Sequence, residues 1–265
     1  MLLAIDIGNT TISIAILEEN LRKPAQPKII SIHQVETSFS PTALRKKLKQ
    51  KLSALIHRYK VQDVIICSVV PSALALLKNI LRKDLNINPR IVGEDIFAPI
   101  QNRYRNPRQV GQDRLVGSFA ARELYGAPLI VIDFGTAITF DVVSNKGEYS
   151  GGIIVPGIRL TAEALFNKTA LLPKVKIKTP RELIGRDTTS SILSGIFYGY
   201  GALCDGLIEQ ISQKTKGRPK VVFTGGYSLW MKKFISRKAH CLDRDLVFKG
   251  MSLISRREKK SLTIF

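Results

Sequence analysis

Two stretches of this chain are written to one outline. "AIDIGNTTISIAI" (residues 4–16) and "VIDFGTAITFDVV" (131–143) each run from an apolar strand through an aspartate and a glycine into a second apolar strand. Set side by side, Asp6 falls on Asp133 and Gly8 on Gly135. Self-similarity of this kind means that one folding unit occurs twice. The chain is therefore expected to hold two α/β domains of like fold, with the boundary near residues 118–127. Its 265 residues are comfortable for two domains.

Hydrophobic periodicity fills in the outline. Strands are expected over 2–7 and 11–17, joined by a turn at "GNT", with a third inside "PKIISIHQVET". A Ser–Pro start and helical spacing predict a helix over "SPTALRKKLKQKLSALIHRYK". A strand in "VQDVIICSVVP", a helix in "SALALLKNILRKDL" and a short strand at "PRIVG" follow. "DRLVGSFAARELYG" reads as a helix closed by Gly126. After the second copy of the hairpin, "NKGEYSGGIIVPG" suggests a turn and strand. "IRLTAEALFNKTALL" and the long "DTTSSILSGIFYGYGALCDGLIEQISQKT" suggest helices, and "PKVVFTGGYS" a strand meeting two glycines. "KFISRKA" and "VFKGMSLISRREKK" are expected to be helical, and "KVKIK" an exposed, edge-protecting strand.

Composition narrows the classes. With 45% hydrophobic residues the chain can bury a large core, which excludes disorder. The net charge of +20 invites a nucleic-acid reading, but the basic residues are scattered and no binding motif accompanies them. The charge should instead favour anionic ligands at long range. Cys67, Cys204 and Cys241 lack metal-ligand or disulfide spacing, and so do His33, His57 and His240. No leader is visible and no stretch approaches a membrane span, so a cytoplasmic protein is expected.

The interrupted hairpins suit a phosphate. Gly8 lets backbone approach closely, and the amides of Gly8 to Thr11, with the hydroxyls of Thr10 and Thr11, can meet phosphate oxygens. Asp6 could hold Mg2+ through water. On its own such a hairpin could equally be an inert exposed turn. The second copy at "DFGTAIT" favours function, two loops gripping one polyphosphate. "VFTGG" could lay bare backbone at Thr224, Gly225 and Gly226 against a base or ribose.

The set "DIGNTT", "SVVP", "YRNPRQVGQDRL", "DFGTAITFDVV", "GGIIVPG", "LFNKTALLP", "GRDTTSSILSG" and "TGG" resembles the type III pantothenate kinase family over about residues 2–250, within the actin-like ATPase superfamily of acetate and sugar kinases. The resemblance implies an α/β fold of two ribonuclease H-like domains with mixed sheets facing a central cleft. Residues 1–120 would carry the first phosphate loop, and 121–265 the second loop and the adenosine motif. It implies ATP-dependent phosphorylation of pantothenate. ATP would be bound by Asp6, Ile7, Gly8, Asn9, Thr10, Thr11, Ile12, Ser13 and Thr136. Asp113 would accept the hydroxyl proton, and Tyr104, Gly111, Gln112, Arg114 and Thr188 would line the pantothenate site. Mg2+ and a monovalent cation, K+ or NH4+ at Asp133, would serve as cofactors, and the protein would be a homodimer. Two departures from the family pattern, Ala15 and Lys249, fall away from the expected chemistry. A non-catalytic transcriptional accessory factor, or a kinase for another small molecule on the same scaffold, are the alternatives.

Overall fold

The computed structural model describes residues 1–19, 26–37, 40–237 and 239–262. The chain divides into two units. One comprises Met1–Ile100, Asn106–Ala120 and the segment from Leu246 onward; the other comprises Gln101–Arg105 and Ala121–Asp245.

In the first unit β1 (Leu2–Ile7), β2 (Thr11–Glu18), β3 (Lys28–Glu36), β4 (Asp63–Ser68) and β5 (Arg90–Ile91) form one sheet in the order β3-β2-β1-β4-β5. β1 pairs antiparallel with β2 and parallel with β4. Helix α1 (Pro41–Tyr59) starts where the Ser40 hydroxyl accepts the Ala43 amide, with proline in the first turn. It ends at Lys60 in the left-handed region, φ 48°. Its Leu44, Leu48, Leu52 and Leu55 recur at helical spacing and bury against Leu3, Ile5, Ile14 and Ile66 of the sheet. Helix α2 (Pro71–Asn79) adds Ala73 and Leu77, then widens into a π-type turn over Ile80–Asp84.

The second unit repeats this plan. β6 (Leu129–Phe134), β7 (Ala137–Val143), β8 (Tyr149–Pro156), β9 (Lys220–Thr224) and β10 (Cys241–Leu242) lie in the order β8-β7-β6-β9-β10, with the same senses of pairing. Helices α4 (Ile158–Lys168) and α5 (Thr188–Lys214) pack Ile158, Ala162, Ile196 and Phe197 on Ile130, Ile132 and Phe140. Asp187 caps α5: its carboxylate accepts the Ser190 amide at 2.9 Å while its own amide donates to the Ser190 hydroxyl at 3.1 Å. With 27 residues and a mean hydropathy of 1.3 over its most apolar window, α5 is long and apolar enough to cross a membrane. That corrects the expectation that no stretch approaches that length. Here α5 is a core helix, with eight residues buried.

The two hairpins are not identical. Ile7 pairs with Ile12, leaving residues 8–11 as the first loop. Phe134 pairs with Ile138, leaving only 135–137 as the second. Beyond the glycine, therefore, the side-by-side reading slips by one: Ile12 corresponds to Ile138, and Ala15 to Asp141. Two expected elements are absent. Val175 and Ile177 do rest on the second core in alternation with exposed lysines, but "KVKIK" forms no strand. "KFISRKA" is not helical among its described residues; a short helix, α6 (Ser228–Met231), precedes it and turns follow.

Helix α3 (Gln112–Tyr125) begins in the first unit, and the last helix, α7 (Leu246–Leu262), packs there on β1 and β4. Gly250 lets α7 come against Val116 of α3, where a Cβ would lie 2.6 Å from the valine. Polar contacts fix α7 in place. Arg90 on β5 holds Asp63 at the start of β4 with two nitrogens and donates to Glu258 (2.5 Å) and Ser255 (2.8 Å). Lys259 reaches Glu19 at 2.6 Å and Asp63 at 3.2 Å. Burial alone would raise the Asp63 pKa, but Arg90 and then Lys259 overrule it and hold the carboxyl below its ordinary value.

A carboxylate with a lowered folded pKa contributes stability that is complete above the unfolded value and is lost as pH falls through the folded one. Arg90→Ala is expected to cost about 2–4 kcal/mol at pH 7, because it strips a largely buried carboxylate of its main partner. The deficit should shrink at an acid pH below the lowered folded value, where Asp63 is neutral in both states. Urea midpoints at the two pH values measure this, and an equal deficit at both would exclude it.

Candidate active site at the strand ends

The central strands β1 and β6 are buried along their whole length except at one residue each, Asp6 and Asp133. Strands covered on both faces read as continuous apolar runs, so a carboxylate there needs a reason. Both aspartates stand at the carboxyl end of the strand, next to a parallel neighbour: Asp6 beside Cys67 and Asp133 beside Thr224. Open α/β sheets bind ligands just outside such strand ends.

The first loop is tied inward through its acceptors. The Gly8 amide donates to the Thr11 carbonyl (3.0 Å), while Thr37 gives its amide to Thr10 O (3.1 Å) and its hydroxyl to Asn9 O (2.8 Å). With three carbonyls engaged inside the fold, the exposed tip at Asn9 and Thr10 suits an anion better than a cation. A Cβ on Gly8 would meet nothing closer than Thr11 O at 3.4 Å, and its φ is not positive. The fold does not require glycine there. Ile7 and Ile12 are fully buried core residues, so only their backbone can serve a ligand. Ser13 pairs with Asp6 across the hairpin and accepts from Gln34 at 3.4 Å.

Asp113, in the first turn of α3, accepts the Arg114 amide at 2.8 Å. A Cβ on Gly111 would collide with its carboxylate at 2.5 Å, so glycine makes the room. Gln112 packs on Gly93, whose φ of +90° and closeness to the glutamine leave no place for a side chain. Burial raises the Asp113 pKa, partly offset by the Arg114 amide and guanidinium. The fully buried Cys67 thiol is pushed well up by burial and then by the charges of Asp6 and Asp113. Asp6, Cys67 and Asp113 thus form one electrostatic neighbourhood in the first unit. Cys67 is the member that its apolar surroundings hid in the sequence.

In the second unit the 135–137 loop is braced by two glycines. The Gly157 amide donates to Thr136 O at 3.0 Å, and a Cβ on Gly157 would lie inside the Thr136 carbonyl. Gly225, φ +86°, backs directly onto the Asp133 carboxylate and Phe134. Gly226 has nothing within 4 Å of where its Cβ would be. Thr136 is exposed at the loop tip, and Thr139 pairs with Asp133. Tyr104 lies beside β8 against Tyr149, and Thr188 is exposed in the first turn of α5. In the sheet Asp133 stands between Thr139 and Thr224. Among the described residues no group of three or more His, Cys, Asp or Glu could hold a metal ion.

The glycines separate into two kinds by experiment. Gly225→Ala is expected to lose about 2–4 kcal/mol, from a left-handed backbone and a steric clash. Gly8→Ala and Gly226→Ala should each stay within about 1 kcal/mol of the parent. Thermal unfolding distinguishes them, and equal losses at all three would refute the distinction.

Comparison with known proteins places these features in a family. The model of the type III pantothenate kinase family matches residues 2–210. A type III pantothenate kinase of Sulfurihydrogenibium is 36% identical over 264 residues, covering 97% of this chain and all of the relative. One from Persephonella marina is 41% identical, over 85% of this chain and 87% of its own. Among solved structures, a conserved Campylobacter jejuni protein assigned to the Baf family of transcriptional activators aligns with a TM-score of 0.58 at 20% identity, over 97% and 99% of the two chains. The ethanolamine utilization protein EutJ of Carboxydothermus hydrogenoformans aligns at 0.55 and 11%, over 95% and 89%. These likenesses carry the fold, α/β with two ribonuclease H-like, actin-like domains.

Proposed function

The chain belongs to the type III pantothenate kinase family, and we infer that it transfers the γ-phosphoryl group of ATP to the primary hydroxyl of pantothenate, giving 4′-phosphopantothenate for coenzyme A synthesis. The observation that carries this reading is the half-buried carboxylate of Asp113, set in one neighbourhood with the strand end at Asp6.

Phosphoryl transfer passes through a loose transition state, so positioning and charge neutralisation matter more than a strong base. In our reading the loop from Asp6 to Ser13 and Thr136 hold the phosphates of ATP. Gly8 and Gly135, glycines that their own backbone does not demand, leave space for those phosphates. Asp113 orients the acceptor hydroxyl and takes its proton late. Its raised pKa keeps it a better proton acceptor than an exposed aspartate. Gly111, Gln112 and Arg114 shape the acceptor site around it, and in the same reading, by resemblance to the family, Tyr104 and Thr188 are pantothenate contacts. Mg2+ at Asp6 and K+ or NH4+ at Asp133 would supply positive charge against the phosphates.

A cytoplasmic homodimer belongs to the same reading. What supports the dimer is a set of exposed apolar side chains on the second unit, among them Leu171 at 92% and Ile184 at 80% exposure, with Ile154 and Phe166.

ADP release that depends on pantothenate tests the function, and release at the same rate without pantothenate would remove the substrate. Asp113→Asn is expected to lower turnover by about 10²–10⁴-fold with nucleotide affinity nearly unchanged. A base works only when deprotonated. The parent rate should therefore fall on the acid side through a pKa above the ordinary carboxylate range, and the Asn variant should lack that limb. A mild loss, or an unchanged limb, would put the base elsewhere.

Activity is expected to depend on K+ or NH4+, and Asp133→Ala should weaken that dependence. Equal rates in sodium-only and potassium buffers would rule out the cation site.

A further inference from the structure

One carboxylate of the second sheet has no role so far. Asp141 on β7 is 3% exposed, and each of its oxygens accepts a hydroxyl: Tyr149 on Oδ1 at 2.8 Å and Thr139 on Oδ2 at 2.9 Å. Burying a carboxylate is costly unless it is well bonded. The fold itself does not call for one. The sister sheet carries Ala15 at the corresponding place, paired with Ala4 as Asp141 is paired with Val131, and Ala15 is fully buried.

The other end of the connection explains what the carboxylate holds. Tyr149 is fully buried, and its backbone grips the segment that passes beside β8. Its amide donates to Gln101 O at 2.9 Å and its carbonyl accepts from Arg103 N at 2.9 Å. Its ring lies 6.4 Å from that of Tyr104 at 41°. Gly151, φ +125°, leaves the second side of Tyr104 open to close approach, with the ring 3.7 Å from where a Cβ would be. The ion pair Arg103–Glu148, at 2.8 Å, fastens the same segment from outside. At the near end, Thr139 pairs with Asp133 across the hairpin.

We propose that Asp141 and Tyr149 are positioning residues for the acceptor site: the buried carboxylate anchors the Tyr149 hydroxyl, and Tyr149 in turn sets the height and tilt of Tyr104 where it meets pantothenate. The proposal rests on the acceptor-site reading of Tyr104. Asp141 touches no substrate. It acts by removing freedom from the segment that does, which lowers the ordering cost of binding.

Tyr149→Phe keeps the ring packing and deletes only the hydroxyl. It is expected to raise KM for pantothenate by about 3–12-fold, the scale of one net hydrogen bond. The kcat and the KM for ATP should stay within about twofold. Asp141→Asn, which keeps the shape and one acceptor, should give a smaller rise of the same selectivity, about 2–5-fold. Equal rises in both KM values, or loss of thermal stability with no change in either, would overturn the proposal. Tyr104→Ala separates this from failure of the acceptor-site reading. If Tyr104→Ala raises KM for pantothenate and the two positioning variants do not, only the proposal falls. If Tyr104→Ala leaves that KM unchanged, the acceptor-site reading falls and takes the proposal with it.

Discussion

A strand covered on both faces can carry a charged side chain only at its end, where solvent or a ligand can reach it. That constraint organises this chain twice. Leu2–Ile7 and Leu129–Phe134 are sealed by helices and neighbouring strands, and each opens at a single aspartate one residue before the strand stops. The turn that follows must reverse the chain within three or four residues, and it does so directly above the carboxylate. A compact loop, a charge and a parallel neighbour strand therefore meet at one point in each sheet. A carboxylate placed two residues earlier would sit inside the layer and need hydroxyl partners of its own, which is the situation of Asp141 on the adjacent strand.

The two copies meet this constraint by different means. The four-residue loop after β1 is held by side-chain and backbone bonds from Thr37, just past the end of β3. The three-residue loop after β6 is held by close backbone packing, with Gly157 beneath Thr136 and Gly225 behind Asp133. The first loop keeps its shape through replaceable hydrogen bonds, each worth about 1 kcal/mol. The second depends on the absence of two β-carbons, which no rearrangement of side chains can replace. Duplication preserved the topology while the fastening diverged.

The elements that sequence reading reached are those with strong local signals. Nine of the ten strands of the two sheets and their main helices follow from periodicity and from the Ser40–Pro41 start. Three things were not legible. The one-residue difference between the loops is invisible until Ile12 and Ile138 are seen in register, because threonine and alanine fit either length. The alternation in "KVKIK" is real, yet it reflects Val175 and Ile177 touching a core without a neighbouring strand to bond. The apolar face of Leu246–Leu262 shows a helix but not which sheet it covers; the choice of the first sheet is made by Arg90, Asp63 and Lys259, which lie far apart in the chain. At the site, motif resemblance pointed to Asp113 and Gly111. What was not legible is that Cys67 stands beside Asp6 and Thr224 beside Asp133, since a strand's neighbour is a tertiary property.

Charge acts on two scales here. At long range the excess of +20 draws anions, an effect that salt screens over about 10 Å. ATP and pantothenate are both anions, so approach is favoured without any dedicated basic groove. At short range the sign reverses, because Asp6 and Asp113 both bring negative charge to the neighbourhood of Cys67. The raised pKa of Asp113 follows from burial first, and the neighbouring arginine limits the rise. That balance would suit the proton acceptor proposed above, since it makes the carboxylate more basic than an exposed aspartate. Moving Asp113 to the surface would return its basicity to that of an ordinary aspartate. Removing Arg114 would leave the carboxylate protonated more of the time. In the proposed mechanism the basicity of Asp113 would be set by burial and Arg114 together, which gives their adjacency at the start of α3 a chemical consequence.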